Sequence, residues 1–154
     1  MGPSVPAISE SIIIKRTPEA VYRYIIDVTN QPLWEKLVLS VSPDDDQTTV
    51  HEGSRLTYRM RAPGGLPYRA TSVISNLVAP ERGTYTTTSK LGNFRGSYLT
   101  KTHPDGTEFT HEIDIAADTN PILAATIRAT FPLIRRDVRS GLEALRRNLE
   151  TPSS

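Results

Sequence analysis

Apolar and polar residues alternate in short runs along most of the chain, and a helical period is held only near its two ends. Residues 8–16 carry a β-branched isoleucine run, with Ile12 and Ile14 on one face and Ser11, Ile13 and Lys15 on the other, the two-residue period of a strand. Thr17 then offers an N-cap hydroxyl, Pro18 the favoured first helical position and Glu19 an acid at the positive helix end. A helix of about ten residues is predicted over the stripe Ala20, Val21, Tyr24, Ile25 and Val28. Asn30, Gln31 and Pro32 interrupt it, which leaves Leu33, Trp34 and Leu37 for a short second helix.

Strand-length runs follow at 38–41, 55–61, 68–78, 84–89, 94–102 and 108–116, punctuated by PDDDQ, APGGLP, APERG, KLGN and HPDG. Turns this close together predict antiparallel neighbours, because a parallel crossover needs roughly a dozen residues. Asn120 and Pro121 open a final helix to about residue 149, striped by Leu123, Ile127, Phe131, Ile134, Val138, Leu142, Leu145 and Leu149. Pro132 lies within that stripe and predicts a break near 129–131. Residues 8–149 read as one domain, flanked by a disordered arm at 1–7 and a disordered tail at 150–154.

Composition narrows the function classes. Eighteen Lys and Arg face 17 Asp and Glu, a formal charge of +1, which gives no field to draw nucleic acid or an acidic membrane. There is no cysteine, so disulfides and thiolate chemistry are excluded and a reducing, cytoplasmic setting is expected. The opening residues have neither a basic nor an apolar signal region, and no run is long enough to span a bilayer. His51, His103 and His111 lack metal-ligand spacing, the acids Asp44 to Asp46 lack the glycine of a calcium loop, and Gly64-Gly65 opens no helix. No metal and no cofactor are expected.

The stretch SIIIKRTPEAVYRYIIDVTNQPLW, the glycine Gly53 before a strand, Pro80-Glu81-Arg82-Gly83 between strands and Asp105-Gly106-Thr107-Glu108 before the last one occur in an order similar to that of a known family. From about Ile8 to Leu149 the chain resembles the START-like, or SRPBCC, superfamily in its polyketide cyclase/dehydrase-like branch. The resemblance implies an α+β helix-grip fold: a curved antiparallel sheet of about seven strands around a long C-terminal helix, two short helices after the first strand, and a cavity between helix and sheet. It further implies a bulky apolar ligand, and in some members cyclisation, aromatisation or dehydration. Type II aromatase/cyclases place an arginine near the inner end of the long strand; the matching position here is Val78, which argues against their aldol chemistry.

Alternation assigns inward faces. Leu56, Tyr58 and Met60 oppose Arg55, Thr57, Arg59 and Arg61, and Phe109, His111, Ile113 and Ile115 share the other inner face. Tyr68, Ala70, Ser72, Ile74, Asn76 and Val78 are placed inward by the family pattern, and Phe94, Gly96, Tyr98 and Thr100 are assigned inward, Gly96 leaving room for a ligand. The expected ligand-binding residues are Trp34, Met60, Asn76, Phe94, Phe109, Ile113, Leu123, Ile127 and Phe131. His111 is the candidate general acid or base, and Tyr58 and Tyr98 the candidate donors to a substrate carbonyl. Asp27 is expected to anchor a helix end, and the arginines 135, 136, 139, 146 and 147 to form a solvated face.

Two functions compete, the first of them the leading expectation and the second its alternative. One is a cofactor-independent cyclase or dehydratase of natural-product biosynthesis, with an acyl carrier protein as a conceivable partner. The other is a non-catalytic carrier or sensor of a lipid or hydrophobic metabolite. Both need a hydrophobic small molecule in the cavity, and either suits a monomer or a homodimer.

Overall fold

A computed structural model describes residues 7–62 and 64–151. The chain runs β1 (Ile8–Ile14), α1 (Pro18–Ile26), one 3-10 turn (Val28–Asn30), α2 (Gln31–Trp34), β2 (Val38–Pro43), β3 (Arg55–Arg61), β4 (Pro67–Val78), β5 (Arg82–Ser89), β6 (Phe94–His103), β7 (Gly106–Ile115), α3 (Pro121–Ala129) and α4 (Phe131–Glu150). The seven strands form one curved antiparallel sheet in the order β1-β7-β6-β5-β4-β3-β2. β2 to β7 succeed one another as neighbours, while β1 pairs with β7, Ile8 opposite Ile113. The first two strands therefore lie at opposite edges, and the segment between them must cross from one to the other. α4 packs on β1 and on α2, which completes the helix grip expected from the sequence.

Local signals explain most boundaries. Thr17 accepts from the Ala20 N–H at 3.2 Å and caps α1, with Pro18 inside the first turn. Asp27 Oδ1 accepts from the Thr29 N–H at 3.0 Å, the anchoring role expected of it. The break falls at Asp27 to Asn30, earlier than the expected Asn30 to Pro32, because Pro32 sits in the first turn of α2, where its missing N–H has no intrahelical partner to lose. Pro132 acts likewise: α3 stops at Ala129, Thr130 links the two helices, and the proline enters the first turn of α4.

The expected arm and tail lie almost wholly outside the described residues, and Glu150 belongs to α4. Nor are the α4 arginines a purely solvated face. Arg135 and Arg139 reach Glu10 of β1 at 3.5 and 3.0 Å, tying the helix to the sheet edge. No helix among the described residues is long and apolar enough to cross a membrane.

Alternation holds in β3 and β7 but fails in the last third of β4. Register shifts between Ser75 and Val78, and Asn76 takes a left-handed φ of 51°. Both Glu52 carboxylate oxygens accept from the bulged backbone, from the Asn76 N–H at 3.2 Å and the Leu77 N–H at 3.0 Å. The bulge inverts the phase, so Leu77 turns inward while Asn76 and Val78 are exposed. Asn76 is therefore corrected from ligand-binding to surface, and Val78 from inward to outward.

Gly141, buried within α4, decides how closely α2 approaches. A Cβ there would lie 2.8 Å from the Trp34 carbonyl oxygen and 3.6 Å from Glu35 Cα. Ala is normally better than Gly in a helix interior by about 1 kcal/mol, but this contact is with backbone that has nowhere to rotate. Gly141→Ala is expected to destabilise by roughly 1–3 kcal/mol in urea unfolding; a more stable variant would show that the crossing is loosely held.

Candidate functional site

Buried apolar side chains fall into three clusters rather than one. Ile14, Val21, Trp34, Phe109, Leu142 and Leu145 gather where α1, α2 and α4 meet β1 and β7. Val28, Val38, Leu56, Tyr58, Ala70 and Ile74 gather at the β2 to β4 edge, and Ile8, Ile113, Ile127, Ile134 and Val138 under α3 and α4. Between them lies a cavity of about 300 Å³, at the lower end of the range for small-molecule sites.

Most of the expected lining is there. Trp34, Met60, Phe94, Phe109, Ile113, Leu123 and Ile127 border the cavity, as do Tyr58 and Tyr98. Phe131 does not; the break at Thr130 turns it onto the Ile134 and Val138 cluster. His111 is also outside the lining. It is 2 % exposed, its Nε2 lies 2.8 Å from Tyr85 Oη, and the rings of Tyr85 and Tyr98, both in the lining, pack against it. Burial lowers its pKa to about 3, so at neutral pH it is an uncharged imidazole that orients Tyr85.

Tyr85 was not anticipated, because a run of threonines around it gives no alternation to assign its face. Strand pairing could have found it. Ile74, Tyr85, Gly96, Ile113 and Ile8 are successive cross-strand partners and form one inward row across the sheet. A Cβ at residue 96 would fall 2.1 Å from the Tyr85 ring. The space expected over Gly96 for a ligand is thus occupied by Tyr85.

The polar end of the cavity centres on Glu35, the other residue that sequence reasoning missed. It is the C-cap of α2, with extended φ and ψ of −86° and 107°, so its side chain leaves the helical stripe and no period foretells its direction. Gln31 Nε2 donates to Glu35 Oε2 at 2.6 Å, and Tyr98 Oη donates to the same oxygen at 3.0 Å. Tyr58 Oη donates to Gln31 Oε1 at 2.8 Å. Three elements therefore converge: α2 brings Gln31 and Glu35, β3 brings Tyr58, and β6 brings Tyr98.

Burial raises the Glu35 pKa, against the two hydrogen bonds that favour its anion. Burial likewise lifts the Tyr58, Tyr85 and Tyr98 phenols, and the nearby Glu35 charge lifts them further. They stay protonated at neutral pH and serve as hydrogen-bond donors. The rings pack edge-on or tilted, Trp34 to Tyr98 at 5.8 Å and Tyr85 to Tyr98 at 5.4 Å between centroids, which fixes the phenols' positions.

Comparisons accord with this anatomy. The family model described as "Polyketide cyclase / dehydrase and lipid transport" matches residues 6–150. Among solved structures, one protein from Thermus thermophilus superposes with a TM-score of 0.71 at 18% identity, covering 96% of this chain and 99% of its own. One from Chromobacterium violaceum gives 0.66 at 16% identity, over 94% and 98%. The di-domain ARO/CYC of the steffimycin biosynthetic pathway gives 0.65 at 12% identity, over 90% of this chain and 48% of that one. These likenesses are of fold. No curated protein matches.

Two pH effects of opposite sign follow. His111 titrates at about 3 in the folded protein against an ordinary 6.5, so the unfolded chain takes up a proton that the native one refuses. Its contribution is whole above pH 6.5 and is lost as pH falls toward 3; in urea unfolding His111→Phe should flatten that acid-side slope. Glu35 is raised above its ordinary 4.5, so the native state holds the proton longer and stability falls as pH rises through that range. Glu35→Gln should accordingly gain on wild type as pH increases from 4.5, and a constant difference between the two would remove Glu35 as the source.

Proposed function

We propose, for a chain that belongs to the polyketide cyclase / dehydrase and lipid transport family, that it binds a bulky, mostly apolar small molecule in the cavity and acts as its carrier or sensor. The observation that supports this reading is the lining: an apolar chamber whose phenols are spent on neighbouring side chains, with His111 buried outside the lining and bonded to Tyr85. Such walls supply area and orientation. Burying apolar surface at about 25 cal/mol per Å² is then the main source of affinity, and the polar end selects among ligands of similar size.

A second reading is favoured by Glu35 alone. A half-buried carboxyl of raised pKa with one oxygen uncommitted is the kind of group that moves a proton, and a cyclase or dehydratase acting on a polyketide-like chain needs such a group. Tyr58 and Tyr98 would then orient the substrate and hold the Gln31–Glu35 pair, and His111 would act only through Tyr85.

Titration with a neutral, polarity-sensitive naphthalene dye, read by its emission and by Trp34 fluorescence, tests the cavity. Wild type should bind, and Ile113→Trp, which fills the chamber, should weaken binding by about tenfold or more while remaining folded. Equal dye binding by both proteins would overturn the reading. Turnover of a poly-β-ketone substrate that drops about 100-fold in Glu35→Gln, with dye affinity retained, would establish the enzymatic alternative instead.

A further inference from the structure

Glu35 is an acid without a cation. No Lys, Arg or His forms an ion pair with it among the described residues, and the remaining residues, 1–6, 63 and 152–154, include none of those three types. Its hydrogen-bond donors, Gln31 and Tyr98, are neutral and both fall on Oε2. Oε1 receives no hydrogen bond from the described residues. It is not a sealed orphan either, since the buried polar atoms lacking a partner among the described residues are Trp34 Nε1 and Glu150 Oε2, and Glu35 itself borders the cavity.

The surroundings are mostly aromatic. Tyr58, Tyr85, Tyr98, Phe109 and Trp34 collect at this end, and aromatic faces carry negative potential. The one basic side chain in the lining, Arg61, is exposed and donates to the Lys36 carbonyl oxygen at 3.0 Å. A carboxylate in an apolar chamber is costly unless an opposite charge joins it. Two neutral donors on one oxygen prepare the anion, and no Lys, Arg or His among the described residues completes the pair.

We propose that the ligand supplies it: the polar end of the cavity is an ammonium-recognition site, and the molecule bound is a hydrophobic amine whose protonated nitrogen sits on Glu35 Oε1 beside the Tyr98 and Trp34 rings. Its apolar body fills the chamber toward Ile113, Leu123 and Ile127. The inference rests on the hydrophobic-ligand reading of the cavity. It goes with the carrier rather than the cyclase, because a carboxylate engaged by an ammonium is no longer free to abstract a proton from carbon.

A matched series of decylamine, decanol and decanoate, each competed against the neutral dye near neutral pH, tests it on the whole protein. Decylamine should bind at least about tenfold more tightly than decanol, equivalent to about 1.4 kcal/mol, and decanoate should be the weakest. In Glu35→Gln, whose folding is checked by its urea unfolding curve, the amine-to-alcohol affinity ratio should collapse to about one. Ile113→Trp should weaken amine binding as it weakens the dye, which separates cavity binding from adsorption of a cationic chain on surface acids. Decanol matching or exceeding decylamine in wild type, or an amine preference that survives Glu35→Gln, overturns the inference and leaves the hydrophobic cavity standing. Failure of the dye and of all three compounds to bind overturns both.

Discussion

Everything at the site depends on the crossing that joins the two edges of the sheet. With β1 and β2 at opposite edges, residues 15 to 37 must bridge the open side of a curved sheet, and they do so as α1, a single turn and α2. The bridge is anchored from outside by α4, where the missing side chain of Gly141 admits the Trp34–Lys36 backbone. From inside it is held by side chains, Gln31 to Tyr58 on one flank and Glu35 to Tyr98 on the other. A topological requirement thus delivers polar groups to the end of an otherwise apolar space.

The cavity has the same origin. Three separate clusters line the sheet and helices and do not merge into a single packed interior. Close packing is the ordinary state of a protein core, and an empty volume forfeits dispersion contacts along its walls. A fold that keeps such a space must secure its stability elsewhere. Here the continuous antiparallel ladder, the ties from Arg135 and Arg139 to Glu10 and the fully buried Phe109, Leu145 and Ile14 supply it.

The fold was legible because its signals are local. A capping threonine and proline mark α1, turn residues separate the strands, and Pro132 announces the break between α3 and α4. The faces of β3 and β7 were legible too, since their large apolar residues alternate strictly with polar ones. What could not be read depends on partners distant in sequence. The threonine run of β5 hides Tyr85 until β4 and β6 are paired with it, and Asn76 is turned outward by a bulge that Glu52 stabilises from 24 residues away. Glu35 escapes because a cap residue obeys no period. His111 was rightly placed on the inner face, but the Tyr85 and Tyr98 rings that pack on it come from other strands and could not be read from its own.

Gly96 carries a consequence for how this chamber can diverge. The Tyr85 ring lies over it in place of a side chain, and its hydroxyl is bonded to the His111 imidazole. Any larger residue at this position must evict the ring into the interior, shrinking the space and releasing His111 in one step. The capacity of the chamber is therefore encoded at a position that presents no atoms to it. Descendants of this sequence can retune what they admit by a change on a strand whose own inner surface looks blank.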